Sequence, residues 1–237
     1  MISYLRSSYA TRLAEHTYST QLQLLLQLSV AGAVLLSLLA AFHSRFPGDV
    51  AVVRGVQDLS TPWLDDFMKG IALLGTKALI VGSIVGIGAI LALFRRWREA
   101  VILGLIIIPE GMMMILKLVI DRPRPTEELV RVLDSSTIGS FPSGHTYHAM
   151  LLLGLLLLFS ATGIRNRWLR NGVMAIFSLL ILFTAVSRLY LGAHWPSDIL
   201  GSVLFAIPTL FVLYSVYRMM GGHLSAPKRS TLPDQPA

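Results

Sequence analysis

Apolar residues along this chain come in long runs joined by short polar connections, with neither the period of two of a half-buried strand nor a single amphipathic stripe. Six runs stand out, at 22–42, 66–94, 100–120, 146–164, 172–190 and 198–219. A helix needs about 20 residues to cross the hydrocarbon core of a bilayer, and each run is close to that length or beyond it. The pattern predicts an all-α, polytopic membrane protein with six transmembrane helices. The first run begins too far into the chain, and is too long, for a cleavable signal peptide. The expected organisation is a cytoplasmic N-terminal segment over 1–21, one six-helix domain over 22–219, and a cytoplasmic tail over 220–237. From Ser225 that tail is polar and proline-bearing, and is expected to be disordered.

The connection at 43–65 has apolar residues at 50, 52, 53, 56 and 59, close to helical spacing. It predicts a short interfacial helix ended by Thr61-Pro62. Such a helix packs against the outer leaflet, or guides lipid toward a site.

Composition agrees with a lipid-facing chain. Hydrophobic residues make up 54% of 237 positions and charged residues 14%, against about 25% charged in soluble domains. With no cysteine, disulfides, thiolate nucleophiles and thiolate metal sites are excluded. A formal charge of +7 would suggest nucleic acid in a soluble protein, but here topology has first claim on it, and no nucleic-acid partner is expected. One set of helix ends carries Arg6, Arg12, Arg95, Arg96, Arg98, Arg165, Arg167, Arg170, Arg218, Lys228 and Arg229; the other carries Arg45, Arg54, Arg122, Arg124, Arg131 and Arg188. By the positive-inside rule both termini are cytoplasmic, and the loops at 43–65, 121–145 and 191–197 face outward. Trp63 and Trp195 fall where interfacial anchors do.

Three polar clusters border the runs: Lys117 to Arg124-Pro125 at the end of the third, Pro142-Ser143-Gly144-His145 before the fourth, and Ser187-Arg188 through His194 to Asp198 between the fifth and sixth. Singly, each has an ordinary reading as snorkelling charges, a turn or a helix cap. Alternating helices, however, bring all three to the outer face. Lys117, Arg124 and Arg188 supply three cations, a clamp suited to a phosphoryl group whose charge is spread over its oxygens. Ser143 and Gly144 open a helix, where free N–H groups favour an anion. Asp198 lies four residues after His194, near enough to hold its tautomer. His145 adds a second imidazole, so one histidine can attack phosphorus while the other protonates the leaving oxygen. Two histidines and an aspartate would also suffice in number for a metal, but three cations repel a divalent ion and attract phosphate.

In this order and spacing the clusters resemble the three signature motifs of the type 2 phosphatidic acid phosphatase superfamily, K-x6-R-P, P-S-G-H and S-R-x5-H-x3-D, with no departure. The resemblance implies an integral membrane lipid phosphatase that works without metal or other cofactor. It assigns the nucleophile to His194, which forms a phosphohistidine, and its orientation to Asp198. It assigns the general acid and then base to His145, and phosphate binding to Lys117, Arg124, Ser143, Gly144 and Arg188. Arg122, at a variable motif position, is left as an auxiliary. The family's soluble haloperoxidase branch does not fit six spans. Expected partners are a lipid phosphate substrate and membrane lipids, with no obligate protein partner evident. Candidate substrates are of the undecaprenyl diphosphate, phosphatidylglycerophosphate, phosphatidate or lysophosphatidate type, and an outward site suits recycling of a polyprenyl diphosphate carrier. The alternatives are a lipid phosphotransferase sharing the same first step, and a transporter, which would distribute its charges through several spans.

Outside the motifs, Glu110 and Lys77 fall within apolar runs. Intramembrane charges usually meet partners or cavities, so these two are expected to pair with each other.

Overall fold

The computed structural model describes residues 2–222, with side chains from residue 20 onward except that of Thr162. Every regular element among them is helical: α1 (Ile2–Phe42), α2 (Asp49–Gln57), α3 (Pro62–Leu73), α4 (Lys77–Leu93), α5 (Trp97–Gly104), α6 (Ile107–Ile120), α7 (Gly144–Gly163), α8 (Arg167–Tyr190) and α9 (Pro196–Met219). The tail from residue 223, expected to be disordered, lies outside the described residues.

Among the described residues, five spans are long and apolar enough to cross a membrane: Thr20–Phe42, Trp97–Ile120, Gly144–Ala161, Arg167–Tyr190 and Pro196–Met219. A sixth exists if α3 and α4, which meet at 55°, count as one broken span. The continuous helix expected over 66–94 is therefore two helices. The α5–α6 span is also interrupted, at Leu105–Ile106, for a local reason. Pro109 has no N–H for the Leu105 carbonyl, so the helix restarts where proline is tolerated, in its first turn.

Helix starts follow side-chain chemistry. Thr61 Oγ1 accepts from the Leu64 amide at 3.2 Å with Pro62 in the first turn, so Thr61-Pro62 opens α3. The surface helix α2 has already ended at Gln57, which corrects the expected stop. Asn166 caps α8 through the Trp168 and Leu169 amides. Asp121, at φ 42°, ends α6.

The bundle is organised around α7, which packs on α8 and α9 and touches α5 and α6. Tyr147, Leu151, Leu155 and Phe159 of α7 join Ile102, Leu103 and Ile106 in the largest buried cluster. Outward faces are apolar too, with Leu28, Val85, Ile115, Leu179 and Val212 exposed, as expected where the surrounding solvent is lipid. Above one end of the bundle, α2 is tied down by polar contacts. Gln57 donates to the Arg131 and Tyr190 carbonyls at 2.6 and 3.0 Å and accepts from the Arg131 amide at 3.0 Å.

Candidate active site

The ends of α6, α7, α8 and α9 are stitched together by short-range polar contacts. The Ser143 amide donates to the Asp198 carbonyl at 3.2 Å, and Ser202 Oγ donates to the carbonyls of Ser143 and Asp198 at 2.8 and 2.9 Å. Phe141 packs on Gly201 so closely that a Cβ there would lie 2.5 Å from its ring. These contacts bring the second motif, at the start of α7, against the third, at the start of α9.

His194 lies on the turn between α8 and α9. Gly192 adopts φ 64°, a conformation that favours glycine, and a Cβ there would meet the Arg131 carbonyl oxygen at 2.2 Å. His194 Nδ1 donates to Asp198 Oδ2 at 3.3 Å, the tautomer the carboxylate requires, which leaves Nε2 free of that contact. Asp198 Oδ2 also accepts from the Trp195 amide at 2.9 Å. The carboxylate thus caps α9 and orients the imidazole at once. Burial, then the charges of Lys117, Arg124, Arg188 and His145, hold the His194 imidazole well below its ordinary protonation range.

Around Nε2 stand the cations. Arg124 Nη1 lies 3.5 Å from His194 Nε2 and donates to the Ala193 carbonyl at 2.7 Å, while its Nε donates to the Ile138 carbonyl at 2.8 Å. Burial, and next the nearby Arg188, lower the Arg124 pKa. Lys117 Nζ donates to the Pro142 and Ser140 carbonyls at 2.8 and 3.3 Å. Arg188 is 1% exposed. Its Nη2 bonds Asp134 Oδ2, and its Nε and Nη1 are buried with no partner. Two orphaned guanidinium donors beside two other cations fit an anion.

A cavity of about 450 Å³ connects these groups to the bundle flank. Lys117, Arg124, Gly144, His145 and His194 line its polar end. Ile80, Val81, Ile84, Ile107 and Met113 line the remainder between α4 and α6. Val81 and Ile107 are each 59% exposed, so the cavity opens on the apolar side of the bundle. Ser143, Arg188 and Asp198 are buried without lining it. Ser143 Oγ is used as the cap of α7, accepting from the Thr146 amide at 3.5 Å.

Other expectations change. Glu110 does not pair with Lys77: its Oε1 accepts from His148 Nδ1 of α7 at 3.1 Å, because α7 lies against α6 and presents that histidine to it. Glu110 and Lys77 share only the cavity lining. Trp195 is no interfacial anchor. It is 2% exposed, packs with Val53 and Val130, and its Nε1 donates to the Pro123 carbonyl at 3.0 Å. Trp63 is 72% exposed and stacks on Phe67. Arg122, set aside as an auxiliary, is fully buried and bonded to Asp198 Oδ1 at 2.5 Å. Its alternation with Arg124 around Pro123 was the one available hint. Asp134, the partner of Arg188, had no sequence signal.

Known proteins resemble this chain in sequence and in fold. A family model described as the PAP2 superfamily matches residues 98–221. Phosphatidylglycerophosphatase B of Bacillus subtilis is 26% identical over 182 residues, covering 75% of this chain and 88% of the relative. Decaprenylphosphoryl-5-phosphoribose phosphatase of Mycobacterium tuberculosis is 30% identical over 189 residues, covering 77% and 96%. The fold matches the crystal structure of a transmembrane PAP2 type phosphatidylglycerolphosphate phosphatase from Bacillus subtilis, with TM-score 0.66 and 23% identity over 81% of this chain and 98% of that one. This chain belongs to the PAP2 superfamily and is a polytopic membrane phosphatase acting on phosphate esters or anhydrides.

Proposed function

We propose that the protein hydrolyses a lipid mono- or diphosphate at the outer face of the membrane through a phosphohistidine on His194, without metal. The observation that carries this reading is Arg188, whose buried Nε and Nη1 lack partners beside Lys117, Arg124 and the two histidines. Three cations give a phosphoryl group its electrostatic stabilisation. The apolar cavity between α4 and α6 suits the lipid chain behind that headgroup.

The geometry supports the following proposed steps. His194 Nε2 attacks phosphorus while Asp198 stabilises the positive charge that grows on the ring. The bond to the leaving oxygen breaks, and His145 delivers its proton to that oxygen. His145 then takes a proton from water, and the hydroxide so formed displaces phosphate from His194. Lys117, Arg124, Arg188 and the Gly144 amide hold the phosphoryl oxygens throughout; the Ser143 amide, expected to join them, is taken by the Asp198 carbonyl. Substrate types follow from the relatives and the motifs: a phosphatidylglycerophosphate, a polyprenyl phosphate sugar, undecaprenyl diphosphate or phosphatidate.

An outward site with cytoplasmic termini is supported by the eleven basic residues at one set of helix ends against six at the other. The cysteine-free chain makes this easy to test. Ser135→Cys in intact cells should react with a membrane-impermeant maleimide, and Arg165→Cys only after lysis. The reverse pattern inverts the topology.

The chemical test is a phosphate-release screen over lipid mono- and diphosphates in detergent with the wild type and His194→Ala. Wild type should release inorganic phosphate and trap acid-labile label from a phosphate-labelled substrate; His194→Ala should do neither. EDTA should leave the rate unchanged. EDTA loss restored by one divalent metal overturns the metal-free mechanism, and transfer of label to an acceptor in place of water identifies a phosphotransferase.

A further inference from the structure

Arg122 stands inside the first motif, between Asp121 and Pro123, and its side chain has no exposed surface. Four partners from three segments meet its guanidinium. Nε donates to the His43 carbonyl at 3.2 Å, Nη2 to Asp49 Oδ2 at 3.1 Å, and Nη1 to Ser197 Oγ at 2.8 Å and Asp198 Oδ1 at 2.5 Å. The group also lies over the Phe46 ring, 4.7 Å from its centroid. Asp49, at the first turn of α2, is 4% exposed. It accepts from the Phe46 amide at 2.8 Å and from Ser197 Oγ at 2.9 Å.

The two oxygens of Asp198 are thus divided. Oδ2 serves His194 and the cap of α9, and Oδ1 serves Arg122. One buried cation is shared by two buried carboxylates. A single positive charge cannot neutralise both, and the remaining negative charge on Asp198 faces the imidazole. We propose that Arg122 and Asp49 are positioning residues for His194, acting through Asp198 to set the direction and the effective charge of the carboxylate that the imidazole feels. The surface helix α2 thereby becomes part of the catalytic apparatus. This inference rests on the reading of His194 as nucleophile.

Sharing one charge has a consequence that a mere staple lacks, because the two partners act in opposite directions. Without Arg122, the whole charge of Asp198 acts on His194, which then keeps its proton to higher pH. Without the Asp49 charge, Arg122 is drawn wholly to Asp198 and weakens its hold on His194, which then loses its proton at lower pH. The other groups facing His194 are Lys117 on α6, Arg124 on the following loop, His145 on α7 and Arg188 on α8. They are unchanged in both variants.

The experiment compares purified full-length wild type, Arg122→Gln, Arg122→Lys and Asp49→Asn on a lipid phosphate that the wild type hydrolyses, recording kcat, KM and the pH profile of kcat/KM. In Arg122→Gln, kcat should fall roughly 10- to 100-fold, the range lost when a partner orienting a functional histidine is removed. KM should change little, and the acid limb should move to higher pH. Asp49→Asn should move the acid limb the opposite way. Arg122→Lys keeps the charge without the fork that reaches two carboxylates; it should lose kcat with the acid limb near wild type, and it covers the case in which Arg122→Gln does not fold. Unmoved acid limbs in Arg122→Gln and Asp49→Asn, or shifts of the same sign, overturn the proposal. A wild type that hydrolyses no lipid phosphate fails the function reading itself, whereas an active wild type with unmoved variants fails the positioning role alone.

Discussion

Gly75, at the break between α3 and α4, sits so close to His145 that a Cβ on it would lie 2.1 Å from the imidazole Cδ2. The break in the membrane span and the setting of the second histidine are one structural fact. Gly75→Ala must push the ring out of its place, and a displacement near 1 Å at a reacting group costs about 100-fold in rate. Phosphate release by the purified variant should fall on that scale. Its thermal midpoint should reflect only the about 1–3 kcal/mol of overpacking. A variant that keeps full activity would mean His145 can work from a shifted position.

Asp134 is a resident carboxylate on Arg188, on the loop that precedes α7. On the proposed reading an incoming phosphoryl group competes with it for the guanidinium. Asp134→Asn should therefore strengthen inhibition by vanadate, a mimic of five-coordinate phosphorus. The gain should be at most about fivefold, the scale of a partly exposed ion pair. Weaker inhibition would show that Asp134 aims Arg188 at the phosphate instead of competing with it.

Within the bundle, the Glu110–His148 contact stands where a Glu110–Lys77 pair was expected. His148 Nε2 already lacks a partner, and the ring is 2% exposed. Glu110→Ala would strip its remaining contact, at a cost of about 1–3 kcal/mol, visible as a lower melting temperature in detergent. Lys77→Ala should cost much less, and swapping the charges of Lys77 and Glu110 together should not restore what Glu110→Lys loses.

Stability should depend on the protonation of His194. Its folded-state pKa lies below the ordinary 6.5, so below that pH the unfolded chain binds a proton that the folded chain resists. The contribution is fully present above about pH 6.5 and is lost as pH falls toward the folded value. Melting temperature should decline on acidification through that window, and decline less in His194→Asn. Equal slopes in the two proteins would assign the acid sensitivity elsewhere.

Much of this architecture is legible in the residues, because spans of lipid-facing helix leave a strong signal and because Lys117, Arg124, His145 and His194 sit at fixed distances from helix ends that topology brings together. What escapes is what depends on direction within a helix or on partners far apart in the chain. The run at 66–94 carries its charges only at Asp66, Lys69 and Lys77, and nothing beyond the Gly75-Thr76-Lys77 stretch marks the 55° bend. Glu110 bonds a residue 38 positions away, and nothing in the spacing distinguishes His148 from Lys77 as its partner. Arg122 is visible as a charge at a variable position inside the first motif. Its burial is not, since Asp49 and Ser197 lie 73 and 75 positions from it.

The mouth of the cavity lies between exposed Val81 and Ile107, on an apolar flank of the bundle suited to lipid. An enzyme with such a doorway counts its substrate in two dimensions. With the proposed lipid phosphate as substrate, its rate is governed by the mole fraction of that lipid among its neighbours in the sheet, so inert lipid or detergent added at constant total substrate should slow it by dilution alone.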